Sequence, residues 1–384
     1  MSFELSKDIR LAAPDQAVLE TEDFDFDPIA FADSGGCELI VRDDANGHWE
    51  ARWDDNQIEM RPRNAIMDVL WRGNRLTLAV AKKNECGRNW FVVGRDIVLC
   101  EQFFAAVCKW NSDGENAICV FDEGYFERDE ELREEIKERK LEQMVLDPTI
   151  RQRLMQEVLE FFVQKEWYVA QGLPWKRGVI LHGPPGNGKT QTIRALINEA
   201  NVSTIYVRSL LAYRMSPEQS IKRIYARARE MAPCIVVMED LDSMLMDRYR
   251  SYFLNELDGM RTLEGVMTIV TTNHLEKLDV AIRDRPSRFD VKIEFPNPNA
   301  EMRAAYLGGP LFLTKLKPEF ATEVVKRTGD LSFAGLQEFV RASVARHMRV
   351  MDLRKALSLT LDEMVGVKST KESRGKKKKK SGSK

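Results

Sequence analysis

Histidine is scarce and cysteine is unpaired in this chain, which has four of the first and six of the second. Cys37, Cys86, Cys100, Cys108, Cys119 and Cys234 include no C-x-x-C pair, so a zinc site is not expected. Reduced thiols in a reducing, cytoplasmic compartment are expected instead. No H-E-x-x-H occurs, which removes the helical zinc-protease motif. No run of about 18 apolar residues occurs, so no membrane span is expected. The opening Met1-Ser2-Phe3-Glu4-Leu5 lacks the basic region and apolar core of a signal peptide. Helicase motifs and a basic-aromatic platform are also lacking, which weakens a nucleic-acid reading.

What is present is the composition of a soluble globular protein, 43% hydrophobic and 31% charged. A length of 384 residues suits two or three domains. The net charge of −2 is unevenly spread. Residues 368–384 hold nine Lys/Arg and one Glu, a net of +8, which leaves −10 for the remainder. This basic tail reads as a solvated, disordered end, or as a handle for nucleic acid or an acidic partner.

Residues 1–122 read as a separate β-rich α+β domain. Short β-prone runs at 39–41, 48–53, 76–80, 90–93 and 117–120 are separated by turn residues, and Asn46-Gly47 is a hairpin signal. Residues 97–110 have helical apolar spacing. This domain is expected to bind a protein substrate or partner. Residues 123–146, densely charged at helical spacing, read as a solvated linker helix. Asp147-Pro148 then opens a helix. From there, apolar strands at 203–207, 234–238, 267–271 and 291–295 alternate with helices. That alternation predicts an α/β domain over 147–299, a parallel sheet sandwiched by helices. Residues 300–367 read as a small helical lid.

The stretch from Gly178 to Thr190 is an apolar strand, a glycine-rich turn and a helix start. Gly183, Gly188, Lys189 and Thr190 fit G-x-x-x-x-G-K-[ST], the phosphate loop of P-loop NTPases. The glycines let backbone N–H groups turn inward onto phosphate oxygens. The following helix adds its positive end. A nucleotide with Mg²⁺ is therefore the expected ligand, and the rest of the chain decides which kind of NTPase this is. The cradle is expected from Gly183, Pro184, Pro185, Gly186, Asn187, Gly188, Lys189, Thr190 and Gln191. Lys189 can reach the β- and γ-phosphates, and the Thr190 hydroxyl can ligate Mg²⁺.

Downstream, the strand Ile235-Val236-Val237-Met238 ends in Glu239-Asp240, which delivers two carboxylates to the phosphate end. Thr271-Thr272-Asn273 ends the next strand, where an amide can orient an attacking water. Arg283, Arg285 and Arg288 cluster before the last strand.

Together, Gly183 to Thr190, Val237 to Ser243, Thr271 to His274 and Arg285-Pro286-Ser287-Arg288-Phe289-Asp290 with Ile293-Glu294-Phe295-Pro296 resemble the AAA family of ATPases. Glu166-Trp167-Tyr168 through Gly178, with Glu239-Asp240-Leu241-Asp242, resembles the branch of the mitochondrial translocase that inserts the Rieske protein. The resemblance covers residues 147–365. It implies an ATPase in which Glu239 supports Mg²⁺, Asp240 polarises water and Asn273 acts as a sensor. The more usual carboxylate order is Asp then Glu, so the pair here is reversed. Arg285 and Arg288 match arginines that reach a neighbouring subunit, which implies a homo-oligomeric ring, hexameric in the family. Ser287 replaces the usual Gly. In Thr328 to Leu336, Gly and Ala stand where some relatives carry a catalytic arginine. Tyr213 falls where many members of that family carry an aromatic-valine-glycine pore loop whose aromatic grips unfolded polypeptide, and Arg214 and Met215 depart from that pattern. The expected function is an ATP-driven ring that unfolds, remodels or translocates protein. The alternatives are a chaperone-like assembly factor for one folded partner, a nucleotide-gated scaffold and a nucleic-acid-associated ATPase.

Overall fold

In a computed structural model of the chain, the described residues are 2–21, 26–42, 48–54, 57–82, 88–112, 117–212, 215–258, 263–284, 288–308 and 317–364. They fall into two units, Met1–Ala117 and Ile118–Lys384. Among them, no helix is long and apolar enough to cross a membrane.

The first unit is built on an antiparallel sheet of β1 (Ala17–Thr21), β2 (Glu38–Val41), β3 (His48–Asp54), β4 (Gln57–Trp71), β5 (Asn74–Lys82) and β6 (Arg88–Gly94). Its order is β1-β6-β5-β4-β2, with β3 paired to β4. Alternate residues of the sheet, among them Met67, Val69, Leu78 and Val80, form one buried face. The helix Ile97–Ser112 packs on that face through Leu99, Cys100, Phe103 and Val107. On the opposite face, Arg42 and Thr77 both donate to Asp68, and Arg42 holds that carboxyl below the usual carboxylate range. The long strand β4 has no clear signal in the sequence, because Arg61, Pro62, Arg63 and Asn64 interrupt its apolar pattern. The Asn46-Gly47 turn signal lies outside the described residues.

The second unit carries a seven-stranded sheet. Its strands are β7 (Ile118–Asp122), β8 (Tyr125–Arg128), β9 (Lys176–His182), β10 (Ser203–Val207), β11 (Cys234–Met238), β12 (Val266–Thr272) and β13 (Val291–Glu294). The order is β13-β9-β12-β11-β10-β7-β8, parallel throughout except for β8. The α/β expectation is thus met. Consecutive residues along a strand enter opposite cores. Val179, Leu181, Ile235 and Val237 pack into one, while Ile180, Val236 and Met238 pack into the other. A sheet covered on both faces needs such unbroken apolar runs.

That rule corrects one boundary. The run 117–120 was expected to close the first domain, but β7 pairs in parallel with β10 and belongs to the second sheet. Ile118, Cys119, Val120 and Phe121 are all buried, the signature of a doubly covered strand rather than of an alternating one. The charged stretch after it is not a free linker either. Strand β8 pairs with β7, and the helix Glu130–Lys137 follows. Ile136, Leu141 and Leu146 are buried in the same core as Leu154 and Val158. Glu135 pairs with Arg194, and the Leu141 N–H donates to Glu199, so the stretch is fastened to the helix Lys189–Ala200. Its charges cover one face only, and its apolar residues take the other.

Past β13 the chain is helical, at Ala300–Gly308, Pro318–Arg327, Phe333–Val350 and 353–364. Leu307, Phe320, Val324, Leu336, Phe339 and Leu357 close a separate small core. The basic tail lies outside the described residues.

Candidate nucleotide site

The parallel sheet brings the sequence motifs to one end. Strand β9 runs into the glycine-rich loop, and that loop runs into the helix Lys189–Ala200. The helix buries Ile193, Leu196 and Ile197 on one face, and Gly188 forms its N-cap with φ 89°. Two further glycines are required by close approach. At Gly183 (φ 138°) a Cβ would lie 2.3 Å from the Phe295 carbonyl oxygen, and at Gly186 (φ 79°) it would lie 2.7 Å from the Ala334 Cβ.

Register then places the other groups. Thr272 of β12 is opposite His182 of β9, and the Gly183 N–H donates to the Thr272 carbonyl at 3.3 Å. Asn273, the next residue, therefore sits beside the phosphate loop. Lys189 Nζ donates to Asn273 Oδ1 at 2.8 Å, and to the carbonyls of Gly183 and Pro184 at 2.7 and 3.1 Å. Asn273 Nδ2 in turn donates to Asp240 Oδ1 at 3.0 Å. One asparagine thus ties the loop lysine to the carboxylate after β11. Burial lowers the Lys189 pKa, and the carboxylates of Asp240, Glu239 and Asp242 oppose that shift.

Asp240 has a left-handed backbone, φ 48° and ψ 51°, a conformation that Asp and Asn tolerate better than most residues. Its N–H donates to Thr271 Oγ1 at 2.9 Å. Thr272 Oγ1 donates to Asp242 Oδ1 at 2.7 Å. The Thr190 hydroxyl donates to Glu239 Oε2, and the Tyr206 hydroxyl donates to Glu239 Oε1. Burial, and then the bond to Glu239, push the Tyr206 phenol well above its usual range.

The cradle residues divide by role. Pro184, Pro185, Gly186 and Gln191 are exposed. Asn187 is 2% exposed and turns its side chain away from the cradle. Its Nδ2 donates to the Phe295 carbonyl and to Asn297 Oδ1, and its Oδ1 accepts from the Phe333 N–H. The Ala334 N–H donates to the Gly186 carbonyl at 2.9 Å. The Asn187 side chain is thus a strut joining the loop to the end of β13 and to the first turn of the helix Phe333–Val350. Asn187→Ala removes three hydrogen bonds at once, one buried and two part-buried. It is expected to cost about 1–3 kcal/mol, read as a lower Tm of the full chain.

Arg288, expected to reach a neighbour, is engaged inside its own subunit. Its Nε donates to Asp258 Oδ2 at 2.6 Å and its Nη1 to the Ala281 carbonyl at 2.7 Å. It is 8% exposed and precedes β13, at the end of the strands opposite the phosphate loop. Arg285 and Tyr213 lie outside the described residues. Tyr206 and Asp258 carried no motif. Only the apposition of β10 and β11 gives Tyr206 away.

The donor set fits ATP with Mg²⁺. Positive-φ glycines open the loop, an ammonium lies against it, and the Thr190 hydroxyl meets a carboxylate beside it. Among the described residues, no three His, Cys, Asp or Glu side chains gather as a self-sufficient metal cage. Mg²⁺ at nucleotide sites takes only one or two protein ligands, plus waters and phosphate oxygens.

Residues 179–297 match the model of the ATPase family associated with various cellular activities (AAA). The 26S proteasome regulatory subunit 8 homolog of Schizosaccharomyces pombe is 36% identical over 171 residues, 40% of this chain and 42% of that protein. The ATP-dependent zinc metalloprotease YME1L1 of Mus musculus is 32% identical over 197 residues, 48% of this chain and 27% of that protein. The mitochondrial chaperone BCS1 of Bos taurus is 29% identical over 222 residues, 53% of this chain and 52% of that protein. The chain therefore spans about half, or less, of the length of these relatives. The motif order, the sheet that carries it and these similarities make residues 179–297 an AAA-family ATPase domain.

Proposed function

We propose that this protein hydrolyses ATP to drive the remodelling, unfolding or translocation of a protein substrate, as one subunit of a homo-oligomeric ring. The observation that carries the catalytic part is the relay Lys189–Asn273–Asp240, set beside the Thr190–Glu239 pair at the carboxyl ends of β9, β11 and β12. A phosphate oxygen is a stronger acceptor for Lys189 than the two loop carbonyls it now meets, so the ammonium turns to the nucleotide when phosphate enters the loop. There it offsets charge that grows on the transferred phosphoryl group. Asp240, aimed by the Asn273 amide, orients the attacking water and draws off its proton. Thr190 and Glu239 are the residues that would hold Mg²⁺, which supplies charge neutralisation on the phosphate oxygens.

Arg285 takes the role of the arginine offered to a neighbouring site, since Arg288 is committed within its own subunit. Tyr213 would grip substrate, and residues of the first unit would recruit it. The relatives named for the proteasome, a protease and a chaperone support a protein as the substrate class. A second reading, a chaperone-like assembly factor for one folded partner, is favoured by the 222-residue match to a mitochondrial chaperone.

The test is phosphate release by the full chain with ATP and Mg²⁺. Lys189→Ala is expected to lower the rate by about 10²-fold or more, with weaker nucleotide binding. Full activity in that variant would refute the assignment.

A further inference from the structure

Tyr206 is the next-to-last residue of β10, which pairs in parallel with β11 so that Tyr206 lies opposite Val237. Its phenol therefore stands beside the carboxyl end of β11. Its hydroxyl donates to Glu239 Oε1, while Glu239 Oε2 accepts from Thr190. Both oxygens of one carboxylate are held, from two different elements. The usual residue at this place in the AAA motif is aspartate, and Glu239 is one methylene longer. The extra torsion must be fixed before the carboxylate can serve a cation, and fixing it costs conformational entropy.

We propose that Tyr206 is a positioning residue that fixes Glu239 as the Mg²⁺-side carboxylate and so accommodates the reversed Glu239-Asp240 order. The chemistry of the pair favours this role. A phenol donates one hydrogen bond and carries no positive charge, so it orients the carboxylate without neutralising it. Lysine or arginine at the same place would cancel the charge that attracts a divalent cation. The Tyr206 hydroxyl turns one oxygen aside and leaves the other facing Thr190, the second expected ligand. Partners of this kind, one bond removed from a metal, commonly change its affinity 10–100-fold. The inference rests on the reading of Thr190 and Glu239 as the Mg²⁺ side of a nucleotide site.

The experiment uses the full chain and a fluorescent ATP analogue. Binding is titrated first in EDTA and then with increasing Mg²⁺. Tyr206→Phe is expected to bind nucleotide as tightly as wild type in EDTA, yet to need about 10-fold more Mg²⁺ for the half-maximal Mg²⁺-dependent gain. In a Glu239→Ala background, Tyr206→Phe is expected to change nothing further, because the residue through which it acts is gone. An equal shift in both backgrounds, or no shift in the single variant, would overturn the proposal. A loss of EDTA binding in Tyr206→Phe would also overturn it, since that is the mark of a general structural role. A wild-type chain whose nucleotide binding ignores Mg²⁺ would refute the nucleotide-site reading itself. Mg²⁺-dependent binding in wild type with no effect of Tyr206→Phe would refute only the role of Tyr206.

Discussion

Asp240→Asn is expected to slow ATP hydrolysis by about 10²–10⁴-fold, the usual contribution of a positioned general base, while nucleotide affinity stays close to wild type. The substitution is well controlled by its surroundings. Asn keeps an acceptor oxygen at the Oδ1 position, so the bond from Asn273 Nδ2 survives. The main-chain donation to Thr271 Oγ1 does not involve the side chain. Asn also tolerates the left-handed backbone that this position requires, at φ 48°. Alanine would add backbone strain to the loss of the carboxylate and confuse the two. What Asn removes is the proton acceptor. Single-turnover hydrolysis and binding of a non-hydrolysable ATP analogue, measured side by side, separate chemistry from affinity. Loss of binding equal to the loss of rate would place Asp240 on the binding side of the site. Unchanged turnover would remove it from the mechanism.

The same residues show why the sequence reveals one part of this site and hides another. The phosphate loop is legible because its chemistry sits on consecutive residues. Glycines that need positive φ, the lysine and the threonine cannot be moved apart without losing the cradle. Glu239, Asp240 and Asn273 are legible more weakly, as polar residues that end apolar strands. Their meaning comes from a parallel sheet that aligns all strand ends. Tyr206 has no such signal. A tyrosine in a β-prone strand is ordinary, and its bond to Glu239 depends on which strand lies beside which and in what register. Asn187 shows the converse. Its place inside the motif suggests nucleotide contact, yet its side chain points back into the fold. The strand β7 was misplaced for a related reason: proximity in sequence put it with the first domain, while its run of four buried residues fits only a sheet covered on both faces.

Arg288→Ala is expected to destabilise the subunit itself by about 1–3 kcal/mol, the cost of losing hydrogen bonds to a charged group, below the range for a fully buried ion pair. The Arg288 side chain is 7% exposed and its partner Asp258 is 29% exposed, so the carboxylate left behind regains only part of its hydration. The Ala281 carbonyl also loses its donor. The backbone nearby has no slack. A Cβ on Gly178 would lie 1.8 Å from the Arg288 carbonyl oxygen, so Arg288 is seated directly against β9. Arg288→Lys can restore charge but cannot serve Asp258 and Ala281 from one planar fork. It is therefore expected to fall between wild type and alanine. Urea unfolding of the full chain at a concentration too low for assembly is the measurement, and the alanine variant should lose up to about 1 M in midpoint. Asp258→Asn, which breaks the pair from the other side, should lose stability in the same assay. An arginine that served a neighbouring site would behave in the opposite way. Its removal would leave the urea midpoint unchanged, lower ATPase activity only in the assembled ring, and be rescued at mixed interfaces by subunits carrying Lys189→Ala. An unaltered midpoint with such rescue would return Arg288 to the subunit interface. A lowered midpoint without rescue leaves Arg285 as the residue to test there.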